Sequence, residues 1–350
     1  MIVLWRTDER LRCVFDLVIT DKKGASLKYI KIIGLALLSV AFNTIAFSAQ
    51  TGAYPTKPIR LVLAFAPGGG ADINARTISE PLAQILGQPV IIDYKPGGGG
   101  TLAATIVANA APDGYTLLYA TPGQQMTNPH LMDKLPYDPA RAFKAVSQTV
   151  EGSNALVVNK NLPVSNVAEL IALAKAEPGK INFASSGIGS SSHLAGELFK
   201  SMAGIDIVHV PYKGSGAAVT ELIGGSVQMT IDTVSVYLQH IKANELKAIG
   251  ISTLGRNPAL PDVPPIADTL PGFQAAPVNY ITAPATTPDD IILKLNRAIN
   301  EVLQMPAVLE KFAANGATGQ GGTPEQMEAL IKTESAKWEK LIRSSKAQAN

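Results

Sequence analysis

A strand that runs into bare glycines and then into a helix constrains this chain more than any other feature. Residues Ile59-Arg60-Leu61-Val62-Leu63-Ala64-Phe65 read as a buried strand, Ala66-Pro67-Gly68-Gly69-Gly70-Ala71-Asp72 as a loop, and Ile73–Leu86 as a helix. A helix start without side chains leaves backbone N–H groups and the positive end of the helix dipole exposed, which suits an anion. The pattern recurs downstream, where Ile181-Asn182-Phe183-Ala184 runs through Ser185-Ser186-Gly187-Ile188-Gly189-Ser190-Ser191-Ser192 into a helix from His193 to Ala203. Two such seats with no catalytic constellation beside them point to binding rather than chemistry.

The rest of the chain repeats the alternation. Strands are predicted at Val90–Tyr94 and Tyr115–Ala120, with a helix at Thr101–Ala110 after Lys95-Pro96-Gly97-Gly98-Gly99-Gly100. A second set has strands at Ala155–Val158, Ile181–Ala184, Ile207–Pro211, Val227–Ile231 and Leu246–Ile251. Helices are expected among these at Val167–Ala176, His193–Ala203 and Ala217–Ile223. Near-continuous apolar strands separated by helices imply mostly parallel sheets covered on both faces. Pro261, Pro264, Pro265, Pro271, Pro277, Pro284 and Pro288 then punctuate a long connection, and helices at Asp289–Leu303 and Thr323–Ile342 close the chain. The fold class is α/β with two lobes: residues 54–150 plus 276–350 form the first, and 151–275 the second. Ligands in open α/β sheets sit beyond the carboxyl ends of strands, so both glycine loops would face one cleft.

The start of the chain reads as a targeting segment. Lys28 and Lys31 precede an uncharged, largely apolar run from Ile32 to Phe47, and Ala46-Phe47-Ser48 offers small residues for a signal peptidase. The run is shorter than the ~20 residues that span a bilayer. A cleaved signal over 28–48 and a periplasmic location are expected, with residues 1–27 as an over-extended start. Cys13, the one cysteine of the chain, lies in that extension, so no disulfide, thiol nucleophile or cysteine metal site is expected in the mature protein. Seven of the 30 basic and four of the 28 acidic residues precede residue 32, leaving 23 against 24. A near-neutral mature chain with sparse aromatics argues against nucleic acid as a partner.

The chemical alternatives fail on spacing. A P-loop needs Gly-Lys-Ser/Thr after its glycines, and Ala71-Asp72 stands there instead. Neither glycine loop has the Gly-x-Gly-x-x-Gly spacing of a dinucleotide site. No Gly-x-Ser-x-Gly elbow exists, so a hydrolase reading has only scattered Ser, His and Asp residues. His193 reads as a capping or packing residue, and His130, His209 and His240 share no metal-ligand spacing. No metal and no cofactor are expected. Asp72 reads as a helix cap or as the partner of a ligand ammonium or hydroxyl, and Lys213 as a solvated cation.

Several segments together resemble the Bug family, the periplasmic receptors of tripartite tricarboxylate transporters. They are Tyr54-Pro55-Thr56-Lys57-Pro58-Ile59-Arg60, Pro67–Asp72 with Ala75-Arg76, Lys95–Gly100, and Asn128-Pro129 with Leu135-Pro136-Tyr137-Asp138-Pro139. Further along, Ser185–Ser190 with His193-Leu194, Val210–Gly214 and Arg256–Pro264 are also similar. The resemblance implies a Venus flytrap of the type II periplasmic-binding class that closes on a small organic carboxylate and delivers it, as a monomer, to membrane transporter subunits. It places one ligand carboxylate near the first loop, at Phe65, Pro67, Gly68, Gly69 and Asp72. It assigns second-lobe donors to Ser185, Ser186, Gly187 and Ser190, and specificity to Thr121, Tyr212 and Asp232. Asp232 would suit a ligand amino or hydroxyl group. Two departures stand out: Ala142 replaces a usual acid before Phe143, and Val278-Asn279-Tyr280 replaces a Trp-x-Gly. A ligand-presenting sensor and an α/β hydrolase-like or transferase enzyme are the rival readings.

Overall fold

The computed structural model describes residues 54–345. The expected signal over 28–48, the extension over 1–27 and Cys13 lie outside the described residues. The chain begins with β1 (Ile59–Leu63), α1 (Gly70–Leu86), β2 (Val90–Tyr94), α2 (Thr101–Ala108), β3 (Thr116–Ala120) and α3 (Asn128–Leu131). It then runs through β4 (Phe143–Glu151) into β5 (Asn154–Asn159), α4 (Val167–Ala176), β6 (Asn182–Ser185), α5 (Ser191–Ala203) and β7 (Val208–Pro211). Next come α6 (Ser215–Gly224), β8 (Met229–Thr233), α7 (Val234–Lys242) and β9 (Leu246–Ile251). The return comprises β10 (Val278–Pro284), α8 (Asp289–Val302), α9 (Pro306–Ala314), β11 (Thr318–Gly319) and α10 (Pro324–Ser345).

Among the described residues these strands form two sheets, ordered β11-β4-β10-β3-β1-β2 and β7-β6-β8-β5-β9. Each is the spine of one lobe. Apolar burial explains their centres: Leu61, Val62, Leu63, Tyr119 and Ala120 in the first and Leu156, Val157, Phe183 and Ile231 in the second are fully enclosed. Strands buried on both faces have no solvated side to alternate toward, which is why their sequences read as unbroken apolar runs.

The sheets are mixed rather than mostly parallel. β1 pairs parallel with β2 and β3, and β6 pairs parallel with β7 and β8. The remaining pairs, β10 with β3 and β4, β11 with β4, and β5 with β8 and β9, are antiparallel. The cause is the path of the chain between lobes. β4 carries it out of the first lobe through Gly152 and Ser153, and β10 carries it back beside β4, paired from Val278↔Glu151 to Pro284↔Phe143 with two register shifts between. A strand that leaves and a strand that returns must run in opposite directions. At the crossing, Gly152 N–H donates to the Pro277 carbonyl at 2.8 Å, so the two connecting segments are tied side by side.

The βα turns aim at the opposing lobe and meet it. A Cβ at Gly70, the first residue of α1, would lie 2.7 Å from the Thr233 side chain at the end of β8. A Cβ at Gly99 would lie 2.5 Å from the Ile188 carbonyl, and Gly99 itself has φ 61°. Thr127 Oγ1 donates to the Gly189 carbonyl at 3.3 Å. The lobes are therefore closed on each other, and the glycine-rich segment before α2 is a contact with the second lobe as much as a turn.

Candidate ligand-binding site between the lobes

Four helices begin at one enclosed cavity beyond the carboxyl ends of the strands. α1 contributes Gly69, Gly70 and Ala71; α5, Ser190 and Ser191; α6, Gly214 and Ser215; and α7, the preceding Asp232 and Thr233. Phe65, Asn74, Thr121, Ser186, Pro277 and Asn279 complete the wall around a narrow space of about 30 Å³. Among the described residues no Lys or Arg lines it. The first turns of α1, α6 and α7 have no side-chain cap, whereas α5 is capped by Ser190, whose hydroxyl accepts from His193 N–H at 3.3 Å. In α7 the Val234 N–H is accepted by the Ser153 carbonyl at 2.9 Å; first-turn N–H groups with no such acceptor need water or a ligand. The cavity thus presents donors and positive helix ends without a full positive charge, a setting that suits a carboxylate.

The structure brings together six of the residues expected at the site: Phe65, Gly69, Thr121, Ser186, Ser190 and Asp232. The others sit elsewhere. Pro67 and Gly68 are exposed on the outer side of the first loop. Ser185 is buried beneath the second loop, where its hydroxyl contacts His209 Nε2 at 2.7 Å and accepts from Gly187 N–H at 3.1 Å. Enclosed and away from the cavity, that hydroxyl has no access to a substrate. Gly187 and Tyr212 line a wider outer groove, together with Ile188, Met132, Lys134 and Lys213.

Asp72 turns away from the cavity. Its Oδ2 accepts the Gly68 N–H at 2.8 Å, and Oδ1 accepts from Arg76 Nε at 2.8 Å and Tyr94 O–H at 2.6 Å. The helix cap position is Gly69, so Asp72 acts from the first turn, reaching back to the loop as a capping-box acid does. The bond it donates to Asp72 holds the Arg76 guanidinium more firmly in its charged form. Burial, aided by the Asp72 carboxylate, raises the Tyr94 phenol. Asp72 therefore shapes the first loop. Asp72→Ala should lower stability by about 1–2 kcal/mol, through the lost bond to Gly68 and the lost first-turn acid. A chemical-denaturation midpoint indistinguishable from the parent would refute that role.

The second loop is braced from below by stacked rings. Phe183 stacks on His209 at 4.9 Å between centroids, and His209 on His193 at 4.1 Å. His193 Nδ1 accepts the Gly189 N–H at 3.2 Å, so the ring supports the loop backbone. Burial pushes His193 down to about 3, with His209 adding to the effect, and pushes His209 down to about 4. Both are neutral packing groups rather than bases.

Asp232 is the one titratable group of the wall. It is 1% exposed, and its Oδ1 accepts the Thr233 N–H at 2.8 Å. The hydroxyls of Ser215, Thr233 and Tyr237 lie near the carboxyl, yet Oδ2 meets no donor in hydrogen-bond geometry. Burial pushes its pKa up to about 6.

Sequence reasoning missed Gly70, Asn74, Gly214, Ser215, Thr233 and Asn279. Gly214-Ser215 carried a usable signal: they follow a strand and open a helix, as in the two loops that were recognised. Asn74 lies within α1, and Asn279 lies on a strand that its neighbouring prolines concealed.

The family model described as the tripartite tricarboxylate transporter family receptor matches residues 74–346. The chain is a member of that receptor family. BugT from Bordetella pertussis is 37% identical over 318 residues, covering 90% of this chain and 98% of that protein. Among solved structures, a protein from R. palustris determined with adipate is 36% identical with a TM-score of 0.81, covering 83% of this receptor and 98% of that chain. MatC from Rhodopseudomonas palustris, with bound malate, is 33% identical with a TM-score of 0.79 and covers 83% of this receptor and 100% of that chain. These relatives agree with the two-lobed fold and with the resemblance seen in the sequence.

Proposed function

We propose that this receptor captures a small organic carboxylate in the interlobe cavity and hands it to the membrane subunits of a tripartite transporter, acting as a periplasmic monomer without chemistry of its own. The observation that carries this reading is the convergence of four helix N-termini, three of them without a side-chain cap, on a cavity with no Lys or Arg among the described residues of its wall. Two of the related structures hold carboxylates, adipate in one and malate in the other. Closure removes the carboxylate from water, and backbone N–H donors replace its hydration. A bond to a charged group contributes about 1.5–3 kcal/mol, so a few such donors are sufficient to favour the closed state.

Thermal denaturation against a panel of mono- and dicarboxylates tests the reading. A ligand at 100 times its Kd should stabilise the protein by about 2.7 kcal/mol. A shift with nucleotides or inorganic phosphate and none with any carboxylate would overturn it.

A further inference from the structure

The cavity carries two acceptors that have no partner in hydrogen-bond geometry. One is Oδ2 of Asp232; the other is Oδ1 of Asn74. Both residues line the cavity, and both are almost completely buried, at 1% and 2% exposure. The orientation of the Asn74 amide is set by a chain of bonds. Asn279 Nδ2 donates to the Val278 carbonyl at 3.2 Å, which can only accept, so Asn279 presents Oδ1 onward. Asn74 Nδ2 donates to that Oδ1 at 2.9 Å, which leaves the Asn74 carbonyl oxygen as the unused group.

Unsatisfied acceptors are out of place in a cavity otherwise built of donors. A simple carboxylate brings only more acceptors, and it brings a negative charge toward Asp232. A buried carboxylate with no cation beside it is costly, and a second like charge makes it costlier. An ammonium group reverses both effects: it offers three donors and one positive charge.

We propose that Asp232 and Asn74 form an acceptor subsite that selects organic acids carrying an ammonium group, with the acid's carboxylate held at the helix N-termini. The inference rests on the receptor reading above and assigns its substrate class. An ammonium is favoured over a hydroxyl because one hydroxyl proton cannot serve both acceptors or neutralise Asp232.

A pH dependence follows. The groups acting on the Asp232 carboxyl are the hydroxyls of Ser215 on α6, of Thr233, and of Tyr237 on α7, with the Thr233 N–H. Tyr237 is pushed well above its ordinary range by burial and then by Asp232, so it stays neutral. The strands flanking β8, which are β5 and β6, carry no titratable side chain. On α5, His193 is neutral above about pH 3. Asp232 is thus the group of the wall that titrates near pH 6, and its ionised form is the one that holds an ammonium. Binding of an amino acid should strengthen as pH rises from 5 to 7.5.

The test uses two matched sets that differ only at the α-carbon: alanine, lactate and propionate, and aspartate, malate and succinate. Calorimetric titration of the wild-type protein at pH 7.5 should show the amino member of at least one set binding about 10-fold or more tightly than its partners. Its affinity should fall about 10-fold at pH 5. Asp232→Asn keeps Oδ1 for the Thr233 N–H. That variant should lose the preference and the pH slope. Asn74→Ala should weaken the preference with the pH slope intact. Equal or tighter binding of the unsubstituted acids by the wild type overturns the inference alone, as does an unchanged preference in Asp232→Asn. Failure of every acid to bind overturns the receptor reading together with it.

Discussion

Gly70→Ala should weaken ligand binding by about 10- to 100-fold without lowering the stability of the ligand-free protein. The added methyl would sit 2.7 Å from Thr233 Cγ2 and Oγ1 and 2.8 Å from Thr233 Cβ. All three atoms lie close to the second lobe's backbone, so Thr233 cannot swing clear, and overpacking of this kind costs about 1–3 kcal/mol. The cost falls on closure because the two residues belong to different lobes. Within α1 the same change is favourable: Ala exceeds Gly in helix propensity by about 1 kcal/mol, and φ at Gly70 is not in the left-handed region. Stability and affinity should therefore move apart. Gly69→Ala is the control. A methyl there would come no closer than 3.9 Å to Ala66 O and Ser215 Oγ, so affinity should be nearly unchanged. Thr233→Gly removes the opposing side chain and should restore binding to Gly70→Ala, giving a double-mutant coupling of about 1 kcal/mol or more. Titration of the four variants checks this. Equal affinities in the parent and Gly70→Ala would show that the lobes do not need this contact to hold ligand.

The contrast between Gly69 and Gly70 marks the limit of what could be read from the chain. The strand–glycine–helix pattern was legible because its causes are local: an unbroken apolar run, glycines without side chains and a following helical period. Those causes located both loops, the cavity's general chemistry and the two-lobed α/β class. Which glycine of three meets the opposing lobe depends on Thr233, more than 160 residues away, and no local rule reaches it. The same limit explains the sheets. β4 reads Phe-Lys-Ala-Val-Ser-Gln-Thr-Val-Glu and β10 contains Asn279 and Pro284, so neither has the apolar signature of a buried strand. Both are fixed by pairing with each other at the crossing between lobes. Asp72 illustrates a third case. An acid at a helix start is correctly read as favourable there, but only the structure shows its carboxylate saturated by Gly68, Arg76 and Tyr94. Asp232, at the far end of another strand, is the acid whose oxygen is left unmet.

Acid should destabilise this protein through its paired histidines, and His209→Phe should blunt the effect. His193 and His209 are buried at the centre of a ring stack and are pushed down to about 3 and about 4, against about 6.5 in an unfolded chain. The sign follows from which state takes up protons. Below pH 6.5 the unfolded chain binds a proton at each imidazole, whereas the folded protein does so only near pH 4 and below, so stability falls as pH drops through that window. Each unit of difference is worth about 1.4 kcal/mol, which bounds the loss between pH 6.5 and 5 at roughly 2 kcal/mol for each ring. Asp232 opposes this, because its raised pKa of about 6 means the folded state gains protons first as pH falls from 6 toward 4. With two imidazoles against one carboxyl, the net slope is destabilising. His209→Phe keeps an aromatic ring between Phe183 and His193, and the Ser185 hydroxyl still accepts from Gly187. With the Asp232 contribution unchanged, the difference between urea midpoints at pH 7.5 and 5 should be about a quarter as large in the variant as in the parent; parallel losses would exclude the histidines as the cause. The functional consequence lies at Gly189. Its N–H is held by His193 Nδ1, and a protonated imidazole cannot accept it. In the folded protein the His193 ring takes that proton only near pH 3, so the loop that carries Ser186 and Ser190 into the cavity keeps its Gly189 contact across the window in which stability falls.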